Sequence, residues 1–88
     1  WFLKDNEIKN VEGKCLEVSA RQLRSNGGRV QIGECNGQRH QRWNFGTRNS
    51  IVSHGGKCLD IHAPQISTNG GKVQIWTCNG RPQQQWGL

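Results

Sequence analysis

Hydrophobic and polar residues alternate with a period of two in short runs along this chain, and glycine-rich turns separate the runs. Lys57-Cys58-Leu59-Asp60-Ile61 reads as one strand and Lys72-Val73-Gln74-Ile75-Trp76-Thr77-Cys78 as another. Asn69-Gly70-Gly71 supplies the positive backbone angles that a turn between them requires. No stretch sustains a helical period, which leaves at most a single helical turn near residues 78–83. The pattern predicts an all-β chain of short strands. Successive side chains on a strand face opposite ways. Leu59 and Ile61 therefore share one face, as do Val73 and Ile75, and these are core candidates. Cys58, Asp60, Gln74, Trp76 and Cys78 take the other face.

The same pattern occurs twice. Sliding the sequence against itself by 43 residues aligns Gly13-Lys14-Cys15-Leu16 with Gly56-Lys57-Cys58-Leu59 and Asn26-Gly27-Gly28 with Asn69-Gly70-Gly71. Val30-Gln31-Ile32 falls on Val73-Gln74-Ile75, Cys35-Asn36-Gly37 on Cys78-Asn79-Gly80, and Gln41-x-Trp43 on Gln84-x-Trp86. Between residues 8–45 and 51–88, 18 of 38 positions are identical without a gap, which establishes a duplication. The chain reads as a single domain over 1–88, with repeat one at about 2–45 and repeat two at about 46–88.

Eighty-eight residues bury a modest core, and chains of this size often need extra fastening. Four Cys supply it. They form no C-x-x-C pair and none has a His at ligand spacing, so disulfides are expected rather than a metal site, and with them a secreted, oxidising setting. The identical 20-residue spacing favours Cys15–Cys35 and Cys58–Cys78, each loop contributing about 3 kcal/mol in the chain-entropy model. Four Cys nevertheless allow three connectivities, and the sequence leaves the other two open. If Cys58 and Cys78 face one another across antiparallel strands, Asp60 is set against Trp76, and in the first repeat Glu17 against Gly33. No run is long and apolar enough to span a membrane. Trp1-Phe2-Leu3-Lys4-Asp5 has no signal-peptide core, so the sequence reads as a mature, processed or partial chain. The net charge of +6 is compatible with an anionic partner, but Lys and Arg are scattered and form no basic run, which disfavours nucleic acid.

Cys-Leu-Asp-Ile, then Val-Gln-Ile-Trp-x-Cys-Asn-Gly, then Gln-x-Trp resembles the ricin B-type lectins, also called carbohydrate-binding module family 13. Two copies, each with both Cys, cover nearly the whole chain. The resemblance implies a β-trefoil: three repeats of four strands around a pseudo-threefold axis, a shared core filled by the repeats' Trp, Leu, Ile and Val, and one potential sugar pocket per repeat. This sequence carries two repeats. Trp1 is followed by 13 residues before Cys15, and Trp43 by 14 before Cys58, so Trp1 stands almost where a preceding repeat would close. The expectation is an upstream repeat of about 43 residues, with a further chain or self-association as the other way to complete the trefoil.

Galactose-type sugars present hydroxyls on one side and an apolar C–H patch on the other. A receptor needs a carboxylate to accept hydroxyl hydrogen bonds, an aromatic face for the patch, and amides to fix the remaining hydroxyls. The second repeat offers Asp60, Trp76 and Gln74 on one strand face, and the resemblance adds Asn79, Gln83 and Gln84. Gln83 stands where the family has Asn or His, which keeps a polar group but lengthens it. The competing readings are a surface salt bridge between Asp60 and Lys57 and a buried core position for Trp76. Trp43 and Trp86 read as core, and Gln41 and Gln84 as backbone-bonding side chains that orient each closing turn. The first-repeat set, Glu17, Gln31, His40 and Gln41, reads as a weaker pocket: Glu17 is one methylene longer than Asp, and Gly33 removes the aromatic platform.

Catalysis finds no support. Asp60 lacks a second carboxylate, His54 and His62 have no nucleophile in a matching arrangement, and no phosphate-cradling or other cofactor motif is present. The expected function is binding of galactose or N-acetylgalactosamine-type glycans, alone or as a targeting module of a larger enzyme or toxin. Two other readings stand beside it: a polyanion binder using Arg21, Arg24, Arg29, Arg39 and Arg42, and a structural or subunit-interface module with vestigial pockets.

Overall fold

In the computed structural model, which describes residues 2–61 and 73–86, the alternating runs form eight short strands. They are β1 (Phe2–Lys4), β2 (Glu7–Lys9), β3 (Cys15–Val18), β4 (Gly28–Gly33), β5 (Trp43–Phe45), β6 (Ile51–Ser53), β7 (Cys58–Ile61) and β8 (Val73–Trp76). Every pairing is antiparallel, in the order β1-β2-β3-β4-β8-β7-β6-β5. Each repeat is thus a four-stranded meander, and the two meet where β4 pairs with β8. Residue 45, the sequence boundary between repeats, is the last residue of β5, and β5 pairs with β6 as the first strand of the second meander. Single 3-10 turns cover Ala20–Gln22, Arg39–Gln41, Thr47–Asn49 and Pro82–Gln84.

The junction depends on the first Asn-Gly-Gly turn; the second, at 69–71, lies outside the described residues. Gly27 has φ 82°, a value that favours glycine, and its N–H donates to the Ile75 carbonyl at 2.8 Å. The Asn26 side-chain oxygen accepts from the Thr77 N–H at 2.8 Å and from the Thr77 hydroxyl at 3.1 Å. Gly28 lies opposite Ile75, and a Cβ there would stand 2.6 Å from the Gln22 carbonyl oxygen and 2.8 Å from Ile75 Cγ1. A side chain at position 28 would therefore push the two repeats apart.

The core is Ile8, Val18, Leu23, Trp43, Ile51, Leu59 and Ile75, with Leu3, Leu16, Val30, Val73 and Trp86 packed against it. Each closing Trp is tied down twice. The Trp43 indole N–H donates to the Leu16 carbonyl and that of Trp86 to the Leu59 carbonyl, both at 3.0 Å. Their backbone N–H groups donate to the carbonyls of Asn6 and Asn49, both at 2.9 Å. Satisfying the polar edge of a buried indole in this way avoids the desolvation cost of an unpaired donor. Ile32 and Ile75 are equivalent in sequence but not in environment. Ile75 is fully buried under the Gly28 turn, whereas Ile32 is 54 % exposed.

The disulfides are Cys15–Cys35 and Cys58–Cys78, with Cα separations of 5.1 and 5.0 Å. They do not join cross-strand partners. Cys58 lies opposite Trp76 and Cys15 opposite Gly33, and each bond runs diagonally to a Cys two residues beyond, past the end of the strand. The register expected from Cys facing Cys is therefore displaced by two: Asp60 lies opposite Gln74, not Trp76, and Glu17 opposite Gln31, not Gly33.

Candidate functional site

Directly paired residues project to the same side of a sheet, as do residues two apart on one strand. Asp60, its partner Gln74 and the next-but-one residue Trp76 therefore share the face turned away from Leu59 and Ile75. Asp60 is 3 % exposed and Gln74 8 %, while Trp76 at 41 % is open to solvent. Burying a carboxylate is costly unless donors replace its water. Here Gln84 Nε2 donates to Asp60 Oδ2 at 2.8 Å, and Gln74 Nε2 lies 3.5 Å from Oδ1. Lys57 does not pair with Asp60; its ammonium donates to the Thr77 hydroxyl at 3.3 Å.

Gln84 is itself fully buried and fully committed. Besides Asp60, its amide nitrogen donates to the Thr77 carbonyl at 3.0 Å, and its oxygen accepts the Asn79 N–H at 2.8 Å. It locks the segment after β8 onto β7. The Asn79 side chain accepts the Arg81 N–H at 2.9 Å, closing a tight turn that leads into the 3-10 turn carrying Gln83 and Gln84. Gln83 is half-buried. It stands at the position that His40 holds in the first repeat.

The first repeat repeats the frame and changes its centre. Gln41 Nε2 donates to Glu17 Oε1 and to the Glu34 carbonyl, both at 2.7 Å, and Gln41 Oε1 accepts the Asn36 N–H at 2.8 Å. Gln31 Nε2 donates to Glu17 Oε2 at 2.8 Å, and His40 Nε2 lies 3.5 Å from Oε1. Burial pushes the Glu17 carboxyl up, but the bonds from Gln41 and Gln31 and the charge of His40 outweigh it and hold the group below the usual carboxylate range. A Cβ on Gly33 would lie 2.6 Å from Glu17 Oε1 and 2.9 Å from Cδ. The longer side chain thus occupies the space beside strand position 33, where the second repeat carries its Trp.

Two features were not evident in the sequence. Alternation placed Asp60 and Gln74 on one face without pairing them, because the register depends on the diagonal disulfide. The Asn26–Thr77 clasp was hidden because Thr77 replaces Glu34 of the first repeat; only the shared Asn of the two Asn-Gly-Gly turns hinted at it. Among the described residues the group Glu7, Cys15 and Cys35 has ligand-type atoms close together, but both sulfurs are committed to a disulfide, leaving one carboxylate. No helix among the described residues is long and apolar enough to cross a membrane.

The chain matches the family model of the ricin-type beta-trefoil lectin domain over residues 4–88. A search of curated protein sequences found no significant match. Among solved structures it is similar to a designed three-fold symmetric protein, ThreeFoil, with a TM-score of 0.73 and 30 % identity over 97 % of this chain and 65 % of that one. It is similar also to the hemolytic lectin CEL-III, with a TM-score of 0.72 and 30 % identity over 94 % of this chain and 20 % of that one. The beta-trefoil lectin of the Vibrio vulnificus hemolysin/cytolysin, solved with N-acetyl-D-lactosamine bound, shares the fold at a TM-score of 0.71 and 21 % identity, over 94 % of this chain and 58 % of that one. The chain therefore spans less than two thirds of the length of each. With a duplicated disulfide-closed meander, a match along almost its entire length and trefoils as its structural neighbours, the chain belongs to the ricin-type β-trefoil lectin domain family.

Proposed function

We propose that this chain binds galactose- or N-acetylgalactosamine-type glycans through a shallow pocket in its second repeat, with no catalytic step. Membership of a lectin-domain family supports carbohydrate binding as the class of function. What supports this location is that an almost buried, hydrogen-bonded carboxylate and an exposed indole project from the same sheet face. Gln84 and Gln74 take two of the roughly four acceptor directions of Asp60. What reaches the remaining ones must be a small directional donor, and sugar hydroxyls meet that requirement better than a bulky cation does. Trp76 offers the apolar platform on the same face, and the turn after β8 adds the amides of Asn79 and Gln83 as candidates for the remaining hydroxyls. A structural neighbour that holds N-acetyl-D-lactosamine on the same fold is consistent with this ligand class.

One shallow pocket binds weakly, at about the millimolar level or about −4 kcal/mol. Useful avidity comes from several pockets acting together. Ile32 is the seat for a third Asn-Gly-Gly turn, supplied by a further repeat, another chain or a second copy, as the first such turn seats on Ile75. A secreted, oxidising setting suits the two disulfides.

The test is calorimetric titration with lactose and N-acetylgalactosamine. Trp76→Ala abolishes detectable binding while circular dichroism and melting stay near those of the parent. Asp60→Asn, which turns an amide NH2 toward one of two donor amides, also abolishes it and costs about 1–2 kcal/mol of stability. Glu17→Ala leaves binding nearly unchanged. Full affinity in Asp60→Asn would remove the second-repeat pocket from the account.

A further inference from the structure

A shallow groove of about 460 Å³ lies at the junction of the repeats, lined by Ser19, Arg21, Gln22, Gly27 and Arg29. It borders the sugar site. The Trp76 ring comes within 3.8 Å of where a Cβ on Gly27 would stand, so the indole lies against the groove's Gly27 wall. Arg29 is the cross-strand partner of Gln74, which in turn faces Asp60, so one row of the sheet runs from Arg29 through Gln74 to Asp60 on a single face.

The groove's backbone is fixed. Gln22 Oε1 accepts the Arg29 N–H at 2.9 Å, the Ser19 N–H donates to the Arg29 carbonyl at 2.8 Å, and the Gln22 N–H donates to the Ser19 carbonyl at 2.8 Å. Its two guanidinium groups have no acidic partner among the described residues, where the ion pairs are Lys9–Glu7, Lys14–Glu34 and His40–Glu17. The sequence holds no Asp or Glu after Glu34 except Asp60, which is buried against Gln84 and Gln74. Two uncompensated cations beside an aromatic platform favour an oxyanion, which a guanidinium fork meets with two parallel hydrogen bonds.

We infer that this groove is an anion subsite for a sulfate or carboxylate substituent carried by a glycan whose neutral ring rests on Trp76. The inference builds on the second-repeat pocket proposed above and narrows its ligands to acidic glycans. The sugar ring fixes position, and Arg21 and Arg29 select for a charged substituent on that ring or on the sugar linked to it.

Lactose, 3′-sulfolactose and 3′-sialyllactose, titrated into the whole chain, test it. The sulfated or the sialylated sugar binds about tenfold tighter than lactose at about 0.05 M salt, and the advantage shrinks at about 0.5 M. Which of the two gains more identifies the substituent. In Arg21→Gln/Arg29→Gln the advantage disappears while lactose affinity is unchanged; in Arg39→Gln/Arg42→Gln it persists. Equal affinity of all three sugars for the parent chain, with lactose binding intact, overturns the subsite and leaves the pocket standing. Loss of the advantage in Arg39→Gln/Arg42→Gln, or equal competition by a DNA duplex, overturns it in favour of diffuse attraction to polyanions. If lactose fails to bind and Asp60→Asn leaves binding of the acidic sugars unchanged, the pocket itself falls, and the subsite with it.

Discussion

Glu17 and Asp60 hold the same place in two repeats and differ by one methylene, and the consequences extend to four neighbours. The longer carboxylate reaches over position 33, where a Cβ would crowd it, and it engages Gln31, Gln41 and the ring of His40 together. Gly33→Ala meets the far end of a flexible side chain, so the strain is relieved by moving Glu17. The cost is the hydrogen bonds given up, about 1–2 kcal/mol. Combining Gly33→Ala with Glu17→Asp costs less than the sum of the two changes, with a coupling of about 0.5 kcal/mol or more in urea melts; strict additivity would contradict this picture. Titration supplies a second check. The folded carboxyl of Glu17 is held below its unfolded value of about 4.3, so its contribution is complete above that value and fades as pH falls through the folded one. The stability difference between the parent and Glu17→Gln therefore shrinks as melts are taken from about pH 6 to about pH 3. The Glu-for-Asp and Gly-for-Trp replacements were legible in the sequence. Their linkage was not, because it depends on where the longer side chain lies.

Each four-stranded meander is held by a disulfide that crosses its register diagonally, and this geometry marks the limit of reading strands from alternation. Period two identified which residues share a face, and the duplicated spacing indicated which Cys are joined. Alternation carries no information on offset, so Asp60 was set against Trp76 when its partner is Gln74. The buried amides also left no periodic signal; Gln41 and Gln84 stand out only through the closing Gln-x-Trp, yet each ties the segment after one strand to the centre of another. Each disulfide closes a loop of 20 residues. Replacing Cys15 and Cys35 with Ser lowers stability by about 3 kcal/mol. Glycan binding by the surviving folded fraction is unchanged, because the proposed pocket lies in the other repeat; loss of sugar affinity in that fraction would contradict the proposed separation of the two sites.

At the scale of the whole molecule, the two repeats are related in sequence but unequal in what covers them. The first Asn-Gly-Gly turn buries Ile75, clasps Thr77 and forms one wall of the groove beside Trp76. Its counterpart on the first repeat, Ile32, is 54 % exposed and leaves apolar surface in water. If a third unit seats there, native mass spectrometry at rising concentration shows association of this chain with itself or with a chain carrying another repeat, and Ile32→Asp abolishes it. A strictly monomeric chain whose behaviour Ile32→Asp leaves unchanged would contradict that seat. The fold class and the family were legible because the repeat displays both strands and the closing Gln-x-Trp twice. The inter-repeat seat was not, since alternation describes a strand and not its cover.

The central claim, a sugar site on the Trp76 face of the second repeat, is tested most directly by following the tryptophan indole N–H resonances while lactose is added to the ¹⁵N-labelled chain. The expected result is a Trp76 signal that moves with a dissociation constant at about the millimolar level. The Trp43 and Trp86 signals, bonded to the Leu16 and Leu59 carbonyls, stay in place. A Trp76 resonance that does not move while residues around Glu17 and His40 respond would contradict it.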